Sequence, residues 1–110
     1  MQARSIFVDT IIATAAISEY APVTFGGALA TAASIVKGVA QTSAVAGDAV
    51  AVTVLGTSQV FITENVAAGD LLVPDGTGKA RKAVDAEVGF ARANRNGVVG
   101  TRIEVMLLPR

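Results

Sequence analysis

The chain has no cysteine, no histidine and no tryptophan, and its aromatic residues are limited to Phe7, Tyr20, Phe25, Phe61 and Phe90. Without cysteine there is no disulfide framework and no thiol nucleophile. Without histidine the usual proton carrier near neutral pH and the commonest metal ligand are missing. Ser-His-Asp and Cys-His schemes are therefore excluded. Long apolar runs are also absent. The longest candidate, Ile11 to Ile17, falls far short of the ~20 residues a membrane-spanning helix needs. Asp9 interrupts the apolar stretch that a secretory leader would require, so no cleaved signal is expected. The formal net charge is zero, which gives no global attraction to nucleic acid or to an anionic membrane.

What is present is small and apolar: 110 residues, 52% hydrophobic. That length allows one domain, which buries roughly two-thirds of its unfolded surface. A phrase recurs three times, a Gly turn followed by alternating apolar residues. It runs through Ala46-Gly47-Asp48 into Ala49–Leu55, through Ala68-Gly69-Asp70 into Leu71-Leu72-Val73, and through Gly100-Thr101 into Arg102–Leu108. Alternation turns one face of a strand inward, and Gly takes the tight turn at no steric cost. Val50, Val52 and Val54 share such a face. The expected fold is all-β, a small barrel or sandwich of short antiparallel strands and hairpins, with at most one or two short helical turns. Residues 1–20 read as an N-terminal arm or strand, with helix as an alternative over Thr10–Glu19, and residues 21–110 as a single β domain. Pro22 opens a short strand that should begin at or lie on an edge. Asp75-Gly76-Thr77-Gly78 is the strongest hairpin signal. Further turns are expected at Gly56-Thr57-Ser58 and Asn94–Gly97, and strands over Lys79–Val84 and Val88–Ala93. A core rich in Ala and Val is thin, and oligomerisation is a natural source of extra burial.

Candidate chemistry is sparse. Gly76-Thr77-Gly78-Lys79 is not a phosphate loop, because the spacing is too short and Ala80 stands where Ser or Thr is needed. Asp48, Asp70 and Asp75 do not match a calcium-loop spacing. Asp48 and Asp70 are better read as turn residues whose carboxylates accept nearby backbone N–H bonds. Asp85 and Glu87 lack the aromatic platforms that usually accompany a glycosidase pair. Catalytic residues, metal and cofactor are all expected to be none. Charge is unevenly placed: residues 1–78 carry two cations and six anions, and residues 79–110 seven cations and three anions. Two solvated faces of opposite sign explain this, as does head-to-tail complementarity between subunits or toward a partner. Lys79, Arg81, Lys82, Arg92 and Arg95 form the basic cluster, with too few aromatics for nucleic-acid binding.

The order of phrases from Pro22-Val23-Thr24-Phe25-Gly26-Gly27 resembles the bacteriophage capsid cement, or head decoration, proteins. It continues through Gly38-Val39-Ala40, Ala46-Gly47-Asp48-Ala49-Val50-Ala51-Val52, Ala68-Gly69-Asp70-Leu71-Leu72 and Gly78-Lys79-Ala80. It ends with Val88-Gly89-Phe90-Ala91 and Gly100 to Leu108. The resemblance implies a non-enzymatic virion protein on the outer surface of an icosahedral head. Its partners would be the major capsid protein and itself, as a homotrimer at threefold or quasi-threefold sites, with no nucleic acid, membrane or small-molecule substrate. Arg4, Ile6, Val8, Tyr20, Phe25, Arg81, Lys82, Arg92 and Arg95 are the candidate capsid or subunit contacts. The alternative is a carrier domain of lipoyl or biotinyl type, with Lys79 at the hairpin tip, although the usual residues flanking a modified lysine are missing.

Overall fold

The computed structural model describes residues 5–32, 34–84, 87 and 89–108, without the side chains of residues 5–7. It is all-β, with no helix among the described residues. The strands are β1 Ser5–Ile12, β2 Pro22–Thr24, β3 Val36–Ala40, β4 Ala49–Phe61, β5 Leu71–Pro74, β6 Ala80–Lys82, β7 Ala91–Ala93 and β8 Arg102–Leu107. They form one antiparallel sheet in the order β2-β3-β4-β8-β7-β5-β6, with β1 laid along β4. The sheet curls nearly into a barrel. β2 begins at Pro22 and ends the strand order, as a residue without a backbone N–H requires.

β4 is the spine. Its first half pairs with β1 and β3, and its second half with β8. The turn expected at Gly56-Thr57-Ser58 does not form: the strand runs through, and Gly56, at φ 102°, takes the local irregularity of the ladder. Even-numbered residues of β4 face inward throughout. Val50 and Val52 join one apolar cluster with Ala13, Ile17 and Val23, and Val60 joins a larger one with Ile62, Leu72, Phe90 and Val105. Each such side chain, fully buried, is worth about 1.5–3 kcal/mol relative to exposure.

The recurrent Gly phrase corresponds to a backbone device present in four copies. Ile17 pairs with Ala44, and Val66 with Gly97, each through two reciprocal N–H···O bonds of 2.9–3.0 Å. Each of these residues is followed by a tight turn, in which Ala21, Asp48, Asp70 and Thr101 donate N–H to the carbonyls of Ser18, Val45, Ala67 and Val98. The third residue of each turn is left-handed: Tyr20, Gly47, Gly69 and Gly100, at φ 62°, 95°, 90° and 83°. These four also donate across to Ala40, Ala13, Ala93 and Ile62. The turns thus lock in two pairs, and the fourth copy is hidden in the sequence because Tyr20 stands where the others have Gly. The turn expected at Asn94–Gly97 is displaced onto Val98–Thr101, because Gly97 is committed to its bridge with Val66.

Asp48 and Asp70 accept from Val45 N and Ala67 N in their own turns. In the second pair, Asn65 Oδ1 accepts from Val99 N and Asn96 Oδ1 from Ala68 N, so each asparagine caps the opposite turn. The Asp75–Gly78 hairpin joins β5 to β6, with Asp75 Oδ1 accepting from Thr77 N and Lys79 N and Oδ2 from Thr77 Oγ1. The strands after it are shorter than the alternation suggested, three residues each in β6 and β7.

Tyr20 tolerates its conformation because its ring is used. It lies 6.4 Å from the Phe61 ring, packs on the larger core cluster and carries the Arg102 guanidinium 5.0 Å above it. Left-handed backbone costs a non-Gly residue about 1–2 kcal/mol. Tyr20→Gly should therefore be more stable than Tyr20→Ala by about 1 kcal/mol or more, the reverse of the usual order in a strand or helix, as measured by urea unfolding. Equal stability, or a more stable Ala variant, would show that no strain resides there. Burial pushes the Asp75 carboxyl up, but its hydrogen bonds from Thr77 and Lys79 together hold it below the ordinary carboxylate range. The depressed pKa stabilises the fold above the unfolded-state pKa, and this contribution is lost as pH falls through the folded value. Asp75→Ala should cost about 1 kcal/mol at neutral pH, with the gap to the parent closing in acid. A gap independent of pH would contradict this role.

Candidate functional site

The residues expected to make contacts are distributed over three places. Arg4 lies outside the described residues, and so does the side chain of Ile6, although its backbone is in β1. From Val8 on, β1 keeps regular register with β4, so Val8, Thr10 and Ile12 share one face. All three are exposed, Val8 and Ile12 by 42% and 58%, while Ile11 on the opposite face packs against the smaller core cluster. Among the described residues β4 is the only strand laddered to β1; the Gly26-Gly27 turn packs on the backbone of Ile12, so the other edge lacks a partner strand over Val8–Ile11.

Phe25 is tied to this strand by charge. Phe25 is 63% exposed, and its ring supports the Lys37 ammonium 4.8 Å from the centroid. Lys37 reaches Asp9 of β1 at 2.9 Å. Hydrogen bonds from Lys37 and then from Thr10 N hold the Asp9 carboxyl below its ordinary range. Phe25 is also anchored through its turn: Thr14 N donates to Gly27 O and Thr14 Oγ1 to Gly26 O. Ile12 and Phe25 are 13 positions apart in sequence; Phe25 is among the expected contacts, and Ile12 is not.

The basic cluster is largely committed within the chain. Arg81 grips the Glu87 carboxylate with both terminal nitrogens, and Val84 N also donates to Glu87. The Arg81 bonds first, then Val84 N, lower the Glu87 pKa. Lys82 lies 3.8 Å from Asp70, and Arg92 Nη1 donates to Gly69 O at 2.9 Å. Arg95 instead lines a pocket of about 240 Å³ with Gln59, Arg102, Ile103 and Glu104. Sequence reasoning missed that pocket. Gln59 and Glu104 are directly opposed across β4 and β8, and only the strand register reveals it. Tyr20 stands at its rim, through its contact with Arg102.

These surfaces offer exposed apolar side chains, an open strand edge and a polar recess. Nucleophile and general base are not paired in any of them. The comparisons with known proteins agree with a structural role. No curated protein matches the chain. Among solved structures, the base of the head fiber gp8.5 of bacteriophage phi29 is similar, with a TM-score of 0.77, 20% sequence identity and 93% of each chain covered. At that identity the likeness shows the fold. The family model described as phage cement protein matches residues 1–107. The chain therefore belongs to the phage cement protein family, whose members are structural proteins of the phage head.

Proposed function

We propose that this protein binds the outer surface of an assembled icosahedral head and reinforces it, as a homotrimer at threefold or quasi-threefold positions. The observation that carries the reading is the open edge of β1 with its exposed apolar face, beside a half-free aromatic ring. An exposed edge offers unpaired N–H and C=O groups to a partner strand, and Val8, Ile12 and Phe25 supply apolar contacts alongside. Proteins usually protect such edges with charge or a covering segment, and over Val8–Ile11 the one charged side chain, Asp9, is drawn to Lys37. Three linked copies would multiply modest contacts through effective concentration. The thin Ala- and Val-rich core is consistent with a protein that gains burial on assembly.

Removing residues 1–19 is not a clean test. It takes away β1, the buried Ala13 and Ile17, and one half of a locked turn pair. Surface substitution is cleaner. The double variant Val8→Glu/Ile12→Glu should unfold within about 0.5 kcal/mol of the parent. Its binding to heads assembled without this protein should fall at least tenfold, read by co-sedimentation. Undiminished binding would remove β1 from the contact.

A further inference from the structure

Beyond the apolar edge, the structure holds a polar recess. We infer that the pocket formed by Gln59, Arg95, Arg102, Ile103 and Glu104 receives an acidic loop of the shell protein: a carboxylate meets Arg102, and a peptide group meets Gln59. This rests on the head-binding reading above and adds to it the chemistry of the partner.

Two observations point to an occupant. Gln59 Oε1 is buried and, among the described residues, has no hydrogen-bond partner. A buried acceptor left unmade is costly, and such atoms in native proteins generally have a reason. The amide can turn to present its NH₂ instead, so it matches either end of a peptide unit. Beside it Glu104 is 9% exposed, and its carboxylate accepts from Asn94 Nδ2 at 3.3 Å. The second observation is Tyr20. Three of the four equivalent turn positions are Gly, and this one keeps a strained Tyr whose ring supports Arg102. Strain of this kind persists where it positions a group. Tyr and Arg, fixed together at the edge of a recess, are the residue types that dominate binding energy at protein interfaces.

The occupant is acidic by charge complementarity, since two arginines line the recess against one glutamate. It comes from another kind of chain because this one has few carboxylates to offer. Asp9 is held by Lys37, Asp48 and Asp70 by their own turns, Asp75 by its hairpin, Glu87 by Arg81 and Glu104 by Asn94. Among the carboxylates of the described residues, a second copy would have to break one of these contacts or use Glu19 or Glu64.

The test uses the full chain and heads assembled without it. Gln59→Leu removes the unpartnered polar atom. It should leave the melting temperature unchanged or raised and weaken head binding at least fivefold. Arg102→Glu should weaken it at least tenfold, with self-association by sedimentation unaltered, and salt should weaken the parent more than the variant. A purely structural Gln59 would lose stability and binding together, and that result overturns the proposal. Parental binding by both variants also overturns it and leaves the head-binding reading standing. If Arg102→Glu abolishes self-association and head binding falls only as a consequence, the pocket belongs to a contact between copies and the shell assignment is wrong. Failure of the parent protein to bind heads removes both readings.

Discussion

The constraint on which the fold depends is the reciprocal locking of turns in pairs. Every turn closes on itself by one backbone hydrogen bond and is held to its partner by others, so neither half of a pair forms its full set alone. This suits a chain with a thin core. Ala, Val and Gly bury little area per residue, and backbone pairing between distant segments compensates by fixing where each strand begins. β2, β4, β5 and β8 all start directly out of these turns. The cost is that the pairings are non-local, joining residues about 27 to 31 positions apart, an arrangement associated with slow folding.

Rigid starting points leave the exterior free to specialise. One side of the molecule carries the open β1 edge with Phe25 clamped to it through Lys37 and Asp9. Another carries the recess between β4 and β8, where Tyr20 links a turn of the first pair to a side chain of the strand leaving the second. Among the described residues the interior is apolar apart from Thr53, Ser58 and Glu104. A cement protein has no need of an acid, a base or a metal. It needs surfaces held in fixed relation, so that several modest contacts engage at once.

The all-β class, the Asp75 hairpin, the edge position of β2 and the turn roles of Asp48 and Asp70 were legible in the sequence, because each depends on local chemistry: alternation, Gly, Pro, or a carboxylate near its own backbone. Three features were not. The continuity of β4 through Gly56 was hidden because a Gly inside an alternating run reads equally as a turn or as an irregular strand position. The first turn was hidden because Tyr20 replaces the expected Gly, a substitution made tolerable only by contacts to Phe61 and Arg102, 41 and 82 residues away. The recess was hidden because Gln59 and Glu104 meet through register, which one strand alone does not specify. The basic cluster looked like a binding surface, yet Arg81, Lys82 and Arg92 bond Glu87, Asp70 and Gly69, while Arg95 lines the recess.

The most direct examination of the whole account is electron cryomicroscopy of heads reconstituted with the purified protein. The account predicts added density on the exterior at threefold or quasi-threefold positions, with the β1 edge and the Arg102 recess both turned toward the shell. Density in which these two surfaces face solvent, or heads indistinguishable from the undecorated ones, would contradict it.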